Sequence, residues 1–277
     1  MRVTVVGAGM AGLLCARRLR DNGVDVQVLE KQPIPGGRVA TARVGEAVFD
    51  TGAQFVTVRT REFQSLVDAW IATGVVREWC RGFGPEPDGF PRYIGTTGMA
   101  SIAEALANDV DVRYGVDVAD LNEIDADAVV MTAPSDGYDE MLAILCVLDG
   151  PSAVPHPGGV QLSDDPWLSF VADNHMKGIS PAHALTIHAR PGRDATLEDA
   201  ARFIGSAGVL DVQILRWRHG RARAITGPGC AVTDAPRLTI LAGDRYGGTP
   251  SRVEGAALSG LAAADEVLSR RAASRSS

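Results

Sequence analysis

Lysine is almost missing from this chain of 277 residues: Lys31 and Lys177 are its only two, so any lysine chemistry rests on one of them. Cysteine is sparse too. Cys15, Cys80, Cys146 and Cys230 are scattered without a C-x-x-C, which argues against a thiolate zinc site or a disulfide framework and fits a reducing cytoplasm. The five histidines show no metal-ligand spacing and no G-x-S-x-G is present, so metalloenzyme and serine-hydrolase readings fall away. No run of apolar residues is long enough to cross a bilayer. The net charge is −7, which speaks against nucleic acid or an anionic membrane as the main partner.

What the chain does have is concentrated at its start. Arg2 to Val6 reads as a short apolar strand, and Gly7-Ala-Gly-Met-Ala-Gly12 follows at once. A helical run covers Leu13 to Leu19, and a second strand, Val26 to Leu29, ends in Glu30. Gly7 permits the tight strand-to-helix turn, Gly9 lets backbone N–H groups approach a pyrophosphate, and Gly12 lets helix and strand pack closely. The helix N-terminus, with Met10 and Ala11 in its first turn, adds unpaired donors and partial positive charge. Glu30 is placed to accept bonds from ribose hydroxyls. Because its glycines sit at phosphate-loop positions, the stretch from Met1 to Leu19 reads as mature structure and not as a leader.

The following turn, Gly36-Gly37-Arg38, suits a second phosphate contact by close backbone approach and a forked cation. Here the chain resembles the flavin amine oxidase superfamily. The resemblance continues at Phe49 to Arg59, at Tyr93 to Met99, at Leu238 to Asp244 and at Arg252 to Gly260. Phe49 to Phe55, Asp173 to Ile179, Leu215 to Arg218 and Gly243 to Gly248 look most like renalase and its bacterial relatives. The resemblance implies an α/β fold: a Rossmann-type FAD-binding domain from 1–62, 93–134 and 231–277, and a mainly antiparallel-sheet substrate domain from 63–92 and 135–230. It implies non-covalent FAD, held at Gly7, Gly9, Met10, Ala11, Gly12, Glu30, Lys31, Gly37, Arg38, Gln54, Phe55, Val118, Gly243, Asp244, Val253 and Glu254. It also implies hydride transfer from a small molecule to the flavin, with molecular oxygen as acceptor and hydrogen peroxide as product. Renalases act in this way on isomeric dihydronicotinamide nucleotides. An amine oxidase or desaturase, and a flavin-binding protein without turnover, are the alternatives.

Between the chain ends, Gly52 within a strand from Phe49 onward points to close approach of something flat or bulky. Strands are expected at Val110–Tyr114, Val116–Val118 and Ala128–Thr132. Strand-like runs with few helices between them, from Tyr138 to about Ile225, indicate an antiparallel sheet. The arginine- and serine-rich tail from Ser269 to Ser277 is expected to fray. Four residues are substrate-side candidates. Lys177 is placed near the flavin or in a solvated loop. His175 would share its strand face. Trp217 would stack on a ring substrate or sit in the sheet core. Arg252 stands where amine oxidases carry an aromatic ring, and a guanidinium there favours an anionic substrate over an ammonium.

Overall fold

The computed structural model describes residues 1–134, 136–224, 227, 229–234, 237–248 and 252–276. The first half of the chain runs β1 (Arg2–Val6), α1 (Met10–Asp21), β2 (Asp25–Glu30), β3 (Thr41–Val44), β4 (Ala47–Asp50), α2 (Arg61–Ala72), β5 (Val76–Cys80), β6 (Arg92–Gly95), α3 (Ala100–Ala107), β7 (Asp111–Tyr114) and β8 (Ala128–Met131). It continues with β9 (Tyr138–Leu148), β10 (Gly159–Gln161), β11 (Leu168–Asp173), β12 (Ala184–Ala189), α4 (Ala201–Ile204), β13 (Val209–Ala222), β14 (Ala231–Thr233), β15 (Leu238–Leu241) and α5 (Val253–Ser276).

Two sheets dominate. The six-stranded sheet has the order β14-β15-β8-β1-β2-β7, and all its pairs are parallel except β14 with β15. Its central strand β1 is buried from Val3 to Val6, as a parallel strand covered on both faces must be. Helices α1 and α5 lie on one face. A Cβ on Gly260 of α5 would sit 2.1 Å from the carbonyl oxygen of Ala11, so only glycine lets the two helices approach this closely. The first and last parts of the chain thereby share one hydrophobic core. The second sheet is antiparallel throughout, β10-β11-β12-β9-β13. Its strand β12 is buried on both faces. Leu185 and Ile187 enter one apolar cluster, while Ala184, Thr186 and His188 alternate toward β4 and the loop that follows it.

Four expectations need correction. Val116–Val118 is not a strand: it folds over the end of β2, with Val116 N–H donating to the Glu30 carbonyl at 2.9 Å. Gly52 does not lie within a strand. It follows β4, and its Cβ would stand 2.1 Å from the Arg38 carbonyl oxygen, so the body that approaches it is the protein's own backbone. His175 and Lys177 do not share a strand face, because both lie in the turn after β11. The tail does not fray from Ser269, since α5 runs to Ser276. Arg271 donates to the carbonyls of Asn22 and Gly23 at the end of α1, at 3.0 and 2.9 Å, and ties the helix down. Ile225, Ser135 and Ser277, which bound expected segments, lie outside the described residues. Among those residues no helix is long and apolar enough to cross a membrane, and no His, Cys, Asp and Glu cluster could hold a metal.

Candidate functional site

The glycine loop meets its physical requirements one residue at a time. Gly7 adopts φ +103°, a region that side chains avoid. A Cβ on Gly12 would stand 1.9 Å from the Gly7 carbonyl oxygen, so the helix is seated directly on the turn. Gly9 is different. Its backbone is extended, and the nearest atom to an added Cβ is the Gly36 carbonyl oxygen at 4.0 Å, so the space in front of it is open. Gly9 is also the N-cap of α1. No side chain caps the helix, and no acid occupies its first turn. A buried helix end whose donors lack a capping side chain is a ready anion site. Gly36 donates to the Ala8 carbonyl at 2.9 Å, which sets the Gly36-Gly37 turn beside the loop.

Glu30 is buried and braces this arrangement. Its Oε2 accepts from Ala8 N–H at 2.6 Å and its Oε1 from Gln32 N–H at 2.8 Å. Each oxygen keeps a further lone pair, so a ribose could still be bound. Lys31 turns away and pairs with Asp117 at 2.7 Å, with both side chains mostly exposed, an interaction worth little. Val118 lines an open cleft with Leu29, Arg113 and Val116, on the sheet face opposite α1.

Arg38 and Asp244, 206 residues apart, form a bidentate pair at 2.8 and 2.7 Å. Tyr138 donates to the same carboxylate at 2.7 Å, and the guanidinium lies 4.9 Å from the centre of the tyrosine ring. Burial and the Asp244 charge push the Tyr138 phenol up to about 12. Burial alone would lower the Arg38 pKa, but the bonds and charges of Asp244 and Tyr138 outweigh it and raise it. The fork expected to contact phosphate is thus committed to Asp244, itself an expected cofactor residue. Gly243, with φ +138°, donates its N–H to Ser259 of α5 at 2.8 Å.

Beyond the glycine loops, several expected cofactor side chains turn inward. Gln54 donates to the carbonyls of Asp50 and Gly52. Phe55 packs its ring against Trp79, Phe83 and Phe170. Glu254 Oε1 accepts from the N–H groups of Arg59 and Thr60 and from the Thr60 hydroxyl, which ties the start of α5 to the N-cap of α2. Val253 opens α5.

On the substrate side, Lys177 is wholly buried. Its Nζ donates to Asp50 Oδ2 at 2.6 Å, stands 3.5 Å from Gln54 Oε1 and lies 5.1 Å from the centre of the Trp79 ring. Burial lowers its pKa, with Asp50 working against that. It is neither a solvated loop lysine nor free. His175 is exposed, with its Nδ1 3.0 Å from the Ser180 carbonyl and its ring 4.6 Å from that of His183. Trp217 packs into a small apolar cluster, and its Nε1 donates to the Thr51 carbonyl at 3.1 Å. Arg252 is exposed and donates to Thr57 at 3.2 Å.

Sequence reasoning missed Asp50 and His188. Asp50 also accepts from the Thr41 hydroxyl and Met99 N–H, and a strand-end acid before Thr-Gly was its one visible cue. His188 lies 3.0 Å from the Thr51 carbonyl, so Nε2 must carry the proton. Burial holds its pKa down at about 4. A histidine that folds neutral and unfolds with an ordinary pKa near 6.5 makes the unfolded state bind more protons between those values. Stability from this group is therefore full above about pH 6.5 and is lost as pH falls toward 4, by at most about 3 kcal/mol. Thermal denaturation scanned from pH 7 to 4 is expected to show that decline, and H188Q is expected to flatten it. An unchanged slope in H188Q would remove His188 as its cause.

Residues 5–70 match the family model described as NAD(P)-binding Rossmann-like domain. Over 55 residues the chain is 47% identical to a zeta-carotene-forming phytoene desaturase of Myxococcus xanthus, which is 20% of this chain and 11% of that protein. Over 67 residues it is 37% identical to protoporphyrinogen oxidase 2 of Arabidopsis thaliana, 24% of this chain and 13% of that protein. The matches span about a tenth of the length of the curated relatives. A solved triple mutant of putrescine oxidase, redesigned in cofactor binding, superposes with a TM-score of 0.67 at 14% identity, covering 97% of this chain and 99% of that one. The N-terminal segment is thus similar to a Rossmann-like nucleotide-binding domain, and the chain as a whole shares its fold with the putrescine oxidase structure.

Proposed function

We propose that this chain is an FAD-dependent oxidoreductase that takes a hydride from a small molecule. The observation that carries the reading is the helix α1 N-terminus, which has no side-chain cap and opens beside Gly9 between two hydrogen-bonded glycine turns. FAD is held there non-covalently by Gly7, Gly9, Met10, Ala11, Gly12 and Gly37, with Glu30 on the ribose and Gly243 and Val253 toward the other end. The binding part is drawn from 1–62, 93–134 and 231–277. Bound FAD would supply a two-electron acceptor, with oxygen then taking the electrons to give hydrogen peroxide.

The protein's own residues bind and orient. Glu30 fixes the glycine loop, the Arg38–Asp244–Tyr138 group ties the first turn to β15, and the antiparallel sheet docks on the Asp50–Thr51 segment through Thr186, His188 and Trp217. None of the four substrate-side candidates is a buried, unengaged base: Lys177 is ion-paired, His175 is exposed, and Trp217 and Arg252 are not bases. That favours a donor that loses hydride without first losing a proton. A dihydropyridine is such a donor, because it gains aromaticity. The best specific reading is therefore a renalase-like oxidase of isomeric dihydronicotinamide nucleotides, supported by the resemblance at Phe49 to Phe55 and Asp173 to Ile179.

The test is anaerobic mixing of the FAD-loaded protein with aged NADH that contains the ring-position isomers. Rapid bleaching of the flavin is expected. Reduction by a panel of amines, with none by the isomers, would replace this substrate with an amine.

A further inference from the structure

A sheet edge presents unpaired backbone groups, and folded proteins keep such edges short, charged or covered. The six-stranded sheet ends in β14 and β7, of three and four residues, and the antiparallel sheet begins with β10, of three. The fourth edge is different. Strand β13 runs for 14 residues with β9 on one side only. Among the described residues, no segment other than β9 shares a backbone hydrogen bond with residues 209–221.

Strand β13 is guarded at its ends and open in its middle. Its register with β9 shifts between Val209 and Asp211 and again between Trp217 and Arg221, and such irregularities discourage further pairing. Between them, Asp211 to Trp217 pairs with β9 without a break. Ile214 is the midpoint of that stretch. It is 61% exposed, although it lies opposite the buried Ile144. Arg216 does not guard this stretch, because it is turned back onto its own chain by Glu140 of β9 and by Asp194.

The remaining charges are divided by end. Asp149 and Asp211 lie at the start of the edge, Arg218 and Arg221 toward its finish, and all four are exposed. Among the described residues none of the four forms an ion pair. A parallel second copy in register would set like charges against like. An antiparallel copy sets each acidic end against the other's basic end and the apolar middle against itself. With a two-fold axis at Ile214, Asp211 lies three residues from the axis and Arg218 four, so the two become neighbours across the seam. Val212 then faces the Arg216 stem of the second copy, and Gln213 faces its Leu215.

We propose that β13 pairs antiparallel with the β13 of a second copy, joining two five-stranded sheets into one of ten across a two-fold axis at Ile214. A two-fold dimer uses the same surface twice, and this edge is complementary to itself. The dimer does not depend on the cofactor.

Sedimentation equilibrium of the whole chain, with and without FAD, is expected to give twice the chain mass. I214K sets two ammonium groups opposite each other at the axis and is expected to weaken association at least about tenfold, with an unchanged circular dichroism spectrum. D211R is expected to weaken it as well, and D211R/R218D to restore it, because the two ends then exchange signs. I214C brings two thiols together across the axis and is expected to form a covalent dimer under mild oxidation. Wild type, whose four cysteines all lie outside β13, is expected to form none. A monomeric wild type would overturn the proposal, as would a dimer that I214K leaves intact. Should I214K fail to fold, the I214C protein decides, and its failure to cross-link would overturn the proposal too. A D211R/R218D chain that associates no better than D211R would also contradict the antiparallel order.

Discussion

Replacing Lys177 with methionine is expected to lower the free energy of unfolding by about 3–5 kcal/mol, because removing one member of a buried ion pair strands the other. For a chain of this size that corresponds to a fall of roughly 10 °C in melting temperature. Asp50 is the group left behind. It is fully buried, and with Nζ gone its Oδ2 loses the 2.6 Å bond while Oδ1 keeps only the Thr41 hydroxyl and Met99 N–H. A lone carboxylate in that setting must either stay charged without compensation or take up a proton. The double variant Asp50→Asn/Lys177→Met is expected to recover much of the loss, since it removes both charges together. Calorimetric unfolding of the three proteins checks this. A single variant as stable as wild type would mean that the pair does not hold the turn after β11 to β4. The same series separates a structural lysine from one that acts on the flavin. The pair's role in folding predicts that the double variant keeps its FAD spectrum and binding.

The parts of this molecule that could be read from the sequence are those whose causes lie within a few residues. Gly7 and Gly12 are each required by a turn or a helix contact made inside the same loop, and Gly9 leaves the space in front of that loop open, so their spacing carries the geometry with it. The alternation of β12 is equally local. What escaped is tertiary. Arg38 could not be assigned to Asp244 because 206 residues separate them, and both types suit phosphate or hydroxyl contacts equally well. Lys177 looked like a loop lysine because it is in a turn. Only the fold shows that the turn caps a buried acid. Gly52 was rightly read as a site of close approach, but the sequence cannot say whether a ligand or the chain's own Arg38 carbonyl does the approaching. Trp217 and His188 share a single acceptor, the Thr51 carbonyl, and that convergence has no signature in either strand's pattern.

Within the glycine loop, two substitutions of the same size are expected to differ in their effect on stability. G12A forces a Cβ to within 1.9 Å of the Gly7 carbonyl oxygen and 2.9 Å of Thr132 Oγ1, so the loop or the helix must move. It is expected to lose both stability and cofactor binding. G9A meets nothing closer than 4.0 Å, and its backbone angles are ordinary for any residue. The fold is expected to be unchanged to within about 0.5 kcal/mol. FAD affinity is nonetheless expected to fall at least tenfold, about 1.4 kcal/mol, because the methyl group occupies the space through which backbone amides reach the pyrophosphate. Melting temperature and FAD titration, measured on both variants, separate the two outcomes. If G9A binds FAD as wild type does, the phosphates do not lie on this loop.

All of this rests on a flavin site assembled from both ends of the chain, and titration of the purified wild-type protein with FAD, followed by its visible spectrum, tests that most directly. One tightly held flavin per chain, with a spectrum distinct from that of free FAD, is the predicted result. A colourless protein that takes up no added FAD would contradict it.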